Sequence, residues 1–380
     1  MNLVNSIEDT TKVVKNLLVV MAIFIFVLVV YSLVDRNKVL VIQSFEVPDE
    51  VKELGLSGEA ISTLIYGKIK NIYVAAESER RVSVEGYKNY MQNSIEFENI
   101  NFSKLVILIN QLLGKKIINV NGVIHKKNGG HLAIVMVDGN ESINLVIDKV
   151  SIDEALEKLS EEIVAITEPY ILARYLTGLE QYDDEKVLKL IYGCLSNDNQ
   201  DDDHWSLNLW GNYYFNKGDY GNAVKKYQEA YNLAKDRGVK FFVALSNLAA
   251  AQMSLKEYDQ AKENAVKAIR IEDEYYYSYY VLGVLNTRLG EYDRAIESLK
   301  KALDRNKTNA GTYYHLSRAI WFSDQDLEKS LRYGIISRDI YKSKGKQRFY
   351  KRSIDWIQEV CDTSVEDETN YSVCANTSSY

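Results

Sequence analysis

The feature that most constrains this chain is a 34-residue period in its second half. Residues 242–275 and 276–309 abut at that interval, and small and aromatic residues recur at matched places within them. In 276–309 the series is Leu282, Gly283, Tyr292, Ala295, Leu299 and Ala302. In 242–275 it is Leu248, Ala249, Tyr258, Ala261, Ala265 and Ala268. Residues 204–237 give it again as Trp210, Gly211, Tyr214, Tyr220, Ala223, Tyr227 and Ala230. A unit of this length is one supersecondary piece that cannot bury its apolar face alone and must stack on its neighbours. Gly or Ala lets the first helix of a pair approach the second, and the aromatic residue fills the adjacent hole. Only two prolines, Pro48 and Pro169, occur in the 380 residues, which suits long helices.

These three units resemble the tetratricopeptide repeat family. The proline that usually opens the next unit is absent, and Lys235, Asp273 and Lys307 stand there instead. Two divergent units flank the three. Residues 168–201, from Glu168-Pro169, read as a helical hairpin entering the array, and 310–344 keep Tyr313, Leu316, Ser317, Leu331 and Ser337 with one inserted residue. Lys346 to Val360 is expected to cap the array with Phe349, Ile354, Trp356 and Ile357, so the repeats should span 168–361. Asp198 to Asp203 reads as a solvated acidic loop, and 362–380, without Lys or Arg, as a disordered tail. The resemblance implies a protein or peptide ligand on a concave face lined by the first helix of each pair. Its positions here are Trp205, Asn208, Asn212, Phe215, Asn247, Tyr277, Tyr280, Arg318 and Trp321, with His315 beside them. Chaperone-binding members clamp a carboxyl terminus with cations and two asparagines. Asn212 and Asn247 match the asparagines, but Tyr277 and Val281 stand where the cations belong, so a chaperone-tail receptor is not expected.

Leu17 to Val34 carries no charge and has the length of a membrane-crossing helix. It reads as an uncleaved signal-anchor after a short tail, 1–16. Lys12 and Lys15 on one side balance Arg36 and Lys38 on the other, so charge leaves the orientation open. From Val39 the pattern becomes that of a small α/β domain over 39–166. Val39–Phe45 reads as a strand, Ser57–Ala76 and Ser103–Leu113 as helices, and Ile117–His125, His131–Val137 and Ser142–Ile147 as a meander. Asn128-Gly129-Gly130 and Asp138-Gly139-Asn140 supply its hairpin turns, and Ser151–Ile166 closes as an amphipathic helix. This order, with the glycine-rich entry Gly55–Gly58, the run Gly122-Val123-Ile124 and the closing helix, resembles the amino-terminal domain of TolB-like proteins. The resemblance implies a single-pass protein of a bacterial inner membrane with its domains in the periplasm, the cytoplasmic side being the alternative. The expected fold class is multidomain α+β: one transmembrane helix, a small α/β domain, then an all-α repeat superhelix.

A net charge of −7 argues against nucleic acid as a partner. No Walker loop, G-x-G-x-x-G, G-x-S-x-G or H-E-x-x-H occurs, so no enzyme activity and no cofactor is expected. His125, His131, His204 and His315 have no ligand spacing, and no metal is expected. Cys194 reads as a small core residue, while Cys361 and Cys374 are left open as a pair. The expected function is a membrane-anchored scaffold or adaptor, with the bilayer engaged through 17–34 and a homo-oligomer or larger membrane complex left open. The alternative is an envelope sensor whose TolB-like domain binds a small ligand or an envelope component.

Overall fold

The computed structural model describes residues 19, 21, 39–53, 55–78, 117–127, 130–139, 141–147, 152–196, 203–324, 326–364 and 374. It divides into two compact units, residues 1–178 and 179–380.

The first unit is a four-stranded sheet with helices. Strands β1 (Val39–Ile42), β2 (Ile117–Lys127), β3 (Gly130–Val137) and β4 (Glu141–Ile147) lie in chain order across the sheet. β1 runs parallel to β2, and the other pairs are antiparallel. A parallel neighbour requires a crossover, and α1 (Asp49–Glu53) and α2 (Gly58–Ala75) stand in that stretch. The Ser57 hydroxyl caps α2 by accepting from the Ala60 amide at 3.2 Å. Spacings of four, four and three bring Ile61, Ile65, Ile69 and Ile72 to one buried face, while Leu64 points out and is 43% exposed. Two glycines are demanded by one residue: a Cβ on Gly122 would lie 2.3 Å from the Phe45 ring, and one on Gly58 would strike the Phe45 backbone carbonyl. The Asp138-Gly139 turn has φ of 50° and 74°, the paired positive values that a tight hairpin needs. The Asn128-Gly129 turn and the expected helix Ser103–Leu113 lie outside the described residues. Helix α3 (Ile152–Thr167) packs on α2, and α4 (Pro169–Leu176) packs against both.

The expected transmembrane helix requires a correction, and with it the fold class and the inner-membrane location. Among the described residues no helix is long and apolar enough to cross a membrane. A span needs about 20 predominantly apolar residues. The 18-residue α2 carries Glu59, Lys68 and Lys70, and its isoleucines are consumed by packing within the unit. Of the segment 17–34 only Val19 and Met21 are described. The architecture shown is mostly helical, with one small sheet.

The second unit is a succession of helices. α5 (Asp184–Ser196) leads to the pairs α6 (Asp203–Asn216) and α7 (Tyr220–Asp236), then α8 (Phe242–Ser254) and α9 (Tyr258–Ile271). These are followed by α10 (Tyr276–Arg288) and α11 (Tyr292–Arg305), α12 (Ala310–Asp324) and α13 (Leu327–Ser343), and lastly α14 (Gln347–Ser364). The recurrent alanines sit where helices touch: Ala223, Ala230, Ala261, Ala265, Ala268, Ala295 and Ala302 are fully buried. The paired glycines allow the closest approach. A Cβ on Gly211 would lie 2.4 Å from the Tyr227 ring, and one on Gly283 would lie 2.5 Å from Leu299. The turn between the helices of a pair places one residue at positive φ in three successive units: Gly218 (78°), Lys256 (66°) and Gly290 (76°). Buried hydroxyls satisfy one another across the seams, Ser246 with Ser278 at 2.7 Å and Ser337 with Ser353 at 3.2 Å.

Helix α14 closes the array. Trp356, Ile357 and Val360 are buried with Leu327 and Leu331, and the Trp356 indole N–H donates to the Ser317 hydroxyl at 2.8 Å. Phe349 and Ile354, expected on the same face, are 42% and 39% exposed. Cys361 is joined to Cys374 by a disulfide with a Cα–Cα distance of 5.7 Å, and Cys194 is half-buried. The acidic stretch 198–202 and the tail beyond Ser364, Cys374 excepted, lie outside the described residues.

Candidate functional site

The first helices of the pairs, α6, α8, α10 and α12, contact one another in succession and form the inner layer of the array. Four of the expected ligand-facing residues, Trp205, Asn208, Asn212 and Phe215, project from α6 and one, Asn247, from α8. Tyr277 and Tyr280 lie on α10, and Arg318 and Trp321 on α12.

The three asparagines come together. Asn247 Nδ2 donates to Asn208 Oδ1 at 3.0 Å and to Asn212 Oδ1 at 3.4 Å. The Tyr227 hydroxyl, from α7, donates to the same Asn212 oxygen at 2.8 Å. Asn208 is buried, while Asn212 and Asn247 are half-buried. An amide offers two donors and one two-lone-pair acceptor. Here the contacts consume the Asn212 oxygen and the Asn247 nitrogen. They leave Asn212 Nδ2 and Asn247 Oδ1 without a partner among the described residues. A donor and an acceptor side by side are what an extended backbone requires. The Tyr227 contribution was not read from the sequence as part of a site, because that tyrosine looked only like a hole-filler.

The aromatic members are mostly joints between helices. Trp205 meets Phe241 edge-on at 4.7 Å, and Phe215 meets Tyr220 at 5.2 Å. Tyr277 stacks on Tyr280 with centroids 5.5 Å apart, and Trp321 packs against the capping cluster. All five remain half-buried, so each packs on one side and is accessible on another. Burial, with Tyr277 and Tyr341 adding, raises the Tyr280 hydroxyl far above the ordinary tyrosine range and keeps it a neutral donor. Val281 is 1% exposed, so the position that carries a cation in chaperone-tail receptors is part of the core here.

No group of three or more metal-ligating side chains occurs among the described residues. In the first unit a cavity of about 180 Å³ is lined by Lys68, Asn71, Glu157, Ser160, Glu161 and Tyr175. That is below the roughly 300 Å³ at which ligand pockets begin. Lys68 is already engaged with Asp153 at 2.8 Å.

Comparison with known proteins bears on the repeats. Residues 276–309 match the tetratricopeptide repeat model. The small glutamine-rich tetratricopeptide repeat-containing protein 2 of Saccharomyces cerevisiae is 38% identical over 104 residues, 27% of this chain and 29% of that one. The Hsp70-Hsp90 organizing protein of Triticum aestivum is 28% identical over 177 residues, 43% of this chain and 29% of that one. The chain therefore spans under a third of the length of either relative. Among solved structures, the first tetratricopeptide domain of Spaghetti (RPAP3) bound to an HSP90 peptide is 22% identical, with a TM-score of 0.29. It covers 30% of this chain and 91% of its own. The unit at 276–309 is thus similar to a tetratricopeptide repeat, and the paired helices with their alanine seams repeat its arrangement along the second unit.

Proposed function

We propose that this chain is a protein-interaction scaffold that takes an extended peptide segment of its partner along the inner helices α6 to α12. The observation that carries this reading is the unspent amide pair, Asn212 Nδ2 and Asn247 Oδ1, fixed in place by Asn208 and Tyr227. Around it, Trp205, Phe215, Tyr277, Tyr280 and Trp321 offer aromatic surface on a rigid support, and Arg318 offers a charge. Aromatic and arginine anchors carry most of a typical interface's energy. The relative and the matched model are named for tetratricopeptide repeats, which supports a binding role. The reading of residues 39–166 as a TolB-like sensor domain is the weaker one, because the cavity there is small and its lysine is paired.

The test uses peptides selected on the full chain from a displayed random library, with affinities then measured by calorimetry. Replacing Asn212 and Asn247 together with alanine should weaken binding at least tenfold, about 1.4 kcal/mol. Replacing the exposed Lys225 on α7 should leave it unchanged. Equal affinities for all three proteins would place the ligand elsewhere.

A further inference from the structure

The two cysteines joined at the cap differ in how they meet solvent. Cys361 lies on the buried face of α14 and is 6% exposed, in one cluster with Tyr314, Leu327, Leu331, Trp356, Ile357 and Val360. Cys374, 13 positions along the chain, is half-buried and packs against that cluster. Their bond holds the two Cα atoms 5.7 Å apart, inside the usual range for a disulfide. Trp321, from α12, packs against the same cluster. The cap, its cross-link and one wall of the proposed groove therefore share a single set of side chains.

A thiolate opens a disulfide by attacking one sulfur while the other leaves, and access decides which sulfur is attacked. To reach Cys361 a thiolate would have to enter the apolar cluster, whereas Cys374 keeps part of its surface in solvent. Attack at Cys374 Sγ forms a mixed disulfide there and expels the Cys361 sulfur. That sulfur takes up a proton, because an apolar cluster does not solvate a thiolate. With a monothiol the product is the mixed disulfide on Cys374. With a dithiol, the second thiol attacks the reductant's own sulfur in the mixed disulfide and releases Cys374, which is protonated in turn. The reductant leaves as a cyclic disulfide, and two electrons and two protons have passed to the protein.

Opening the bond acts on the weakest member of the stack. The last helix of an array has a neighbour on one side only. Here α14 is held by apolar packing, by the Trp356 indole donating to Ser317 and by Arg352 Nε donating to the Tyr314 hydroxyl at 3.2 Å. The cross-link adds a constraint of another kind: it restricts the chain once α14 lets go, so it favours the packed state without adding a contact. Reduction removes that restriction and frees Cys374 from its place against the cluster. The Trp356 ring, which meets Tyr314 at 6.4 Å and Phe322 at 5.8 Å, carries the loosening from α14 to α12.

We propose that Cys374 is a thiol-exchange site, the point at which a small thiol or dithiol enters the Cys361–Cys374 bond, and that opening this bond loosens α14 and the Trp321 wall of the groove. The link to the groove rests on the peptide-binding reading above. The exchange site and the loosening of α14 stand apart from it. Cys194, half-buried on α5, belongs to neither and serves as the internal reference.

The experiment incubates the folded, oxidised full chain with glutathione or with dithiothreitol. Iodoacetamide is then added briefly, the chain is unfolded into N-ethylmaleimide, and each cysteine is scored by peptide mass spectrometry. Glutathione should be found on Cys374, and after dithiothreitol iodoacetamide should label Cys374 about tenfold or more faster than Cys361. Amide exchange in α14 should quicken about tenfold or more on reduction, with α8 unchanged. Cys374→Ala should show the fast exchange without reductant and leave Cys361 unlabelled, and the reduced wild-type chain gives the same readout with no substitution. A peptide selected on the oxidised chain should bind the reduced one about threefold or more weakly, since only molecules with an ordered cap offer the whole groove. Glutathione on Cys361, equal labelling of the two, or labelling of both without reductant overturns the exchange site. Unchanged exchange in α14 on reduction overturns the loosening. Faster exchange with unchanged peptide affinity overturns the link to the groove alone. If no peptide binds the oxidised chain, the peptide-binding reading fails, and the labelling and exchange still decide the site.

Discussion

Gly211→Ala should destabilise the repeat unit by about 2 kcal/mol, although the same change usually stabilises a helix. Alanine gains about 1 kcal/mol over glycine in a helix interior. Against that, its Cβ would lie 2.4 and 2.5 Å from two carbons of the Tyr227 ring. Tyr227 is 2% exposed and wedged against Ala223, Leu248 and Ala251. It has no room to retreat, and overpacking of this kind costs about 1–3 kcal/mol. If the ring does tilt, its hydroxyl leaves Asn212, which forfeits about another 1 kcal/mol. Gly221→Ala, ten residues along, meets nothing nearer than 3.9 Å and should stabilise slightly. All four tryptophans, Trp205, Trp210, Trp321 and Trp356, belong to the second unit. Urea denaturation of the full chain, followed by tryptophan emission, therefore reports on the repeats alone. The reasoning is refuted if Gly211→Ala shifts the midpoint upward, or if Tyr227→Leu fails to relieve it in a double-mutant cycle.

Three further outcomes are expected. Ala295→Arg should cost on the order of 3 kcal/mol or more, since that alanine is fully buried against the neighbouring helix; an unmoved urea midpoint would contradict the register. Lys256→Gly should stabilise by about 0.5–1 kcal/mol, because φ there is 66° where the equivalent turns carry glycine; a lowered thermal midpoint would count against it. Burial first, then Arg318, Arg352 and Arg288, depress His315 to about 3 in the folded chain, so the unfolded chain takes up the proton first as pH falls below its usual 6.5. Its contribution is whole above that value and shrinks toward pH 3, by about 2 kcal/mol at pH 5. His315→Gln should flatten the stability profile between pH 5 and 6.5, and superimposable profiles for the two proteins would refute the assignment.

How much the sequence disclosed follows from the range of the interactions. The seams were legible because Gly211, Ala223, Ala261, Gly283 and Ala295 recur at fixed local spacing, and the same holds for Ser57 as a cap and Asp138-Gly139 as a turn. The amide run was half legible. Asn208, Asn212 and Asn247 were identified by register, but the hydrogen bonds that decide which of their atoms remain free depend on Tyr227 from another helix. That Arg318 and Arg352 share the Tyr314 ring was not legible, since they meet there only because α14 stacks on the preceding helices, and no spacing rule reaches across them. Trp205, Tyr277 and Trp321 were placed on the inner helices by register. That each also serves as a joint follows from partners such as Phe241 that the period does not mark. The uncharged run 17–34 illustrates the opposite hazard: hydropathy speaks of a segment in isolation, and only Val19 and Met21 of it are described.

The capping helix has a consequence for dynamics. In a stack whose members touch only their neighbours, the last member is held on one side and frays first. Here α14 is held by the Trp356 indole on Ser317 and by Arg352 on Tyr314. A ligand seated on both α12 and α14 would act as a clasp across that end. Its binding energy would then appear as slower amide exchange in α14 than in α5 at the opposite end, so the terminus of the array would register occupancy even though the helices keep their places.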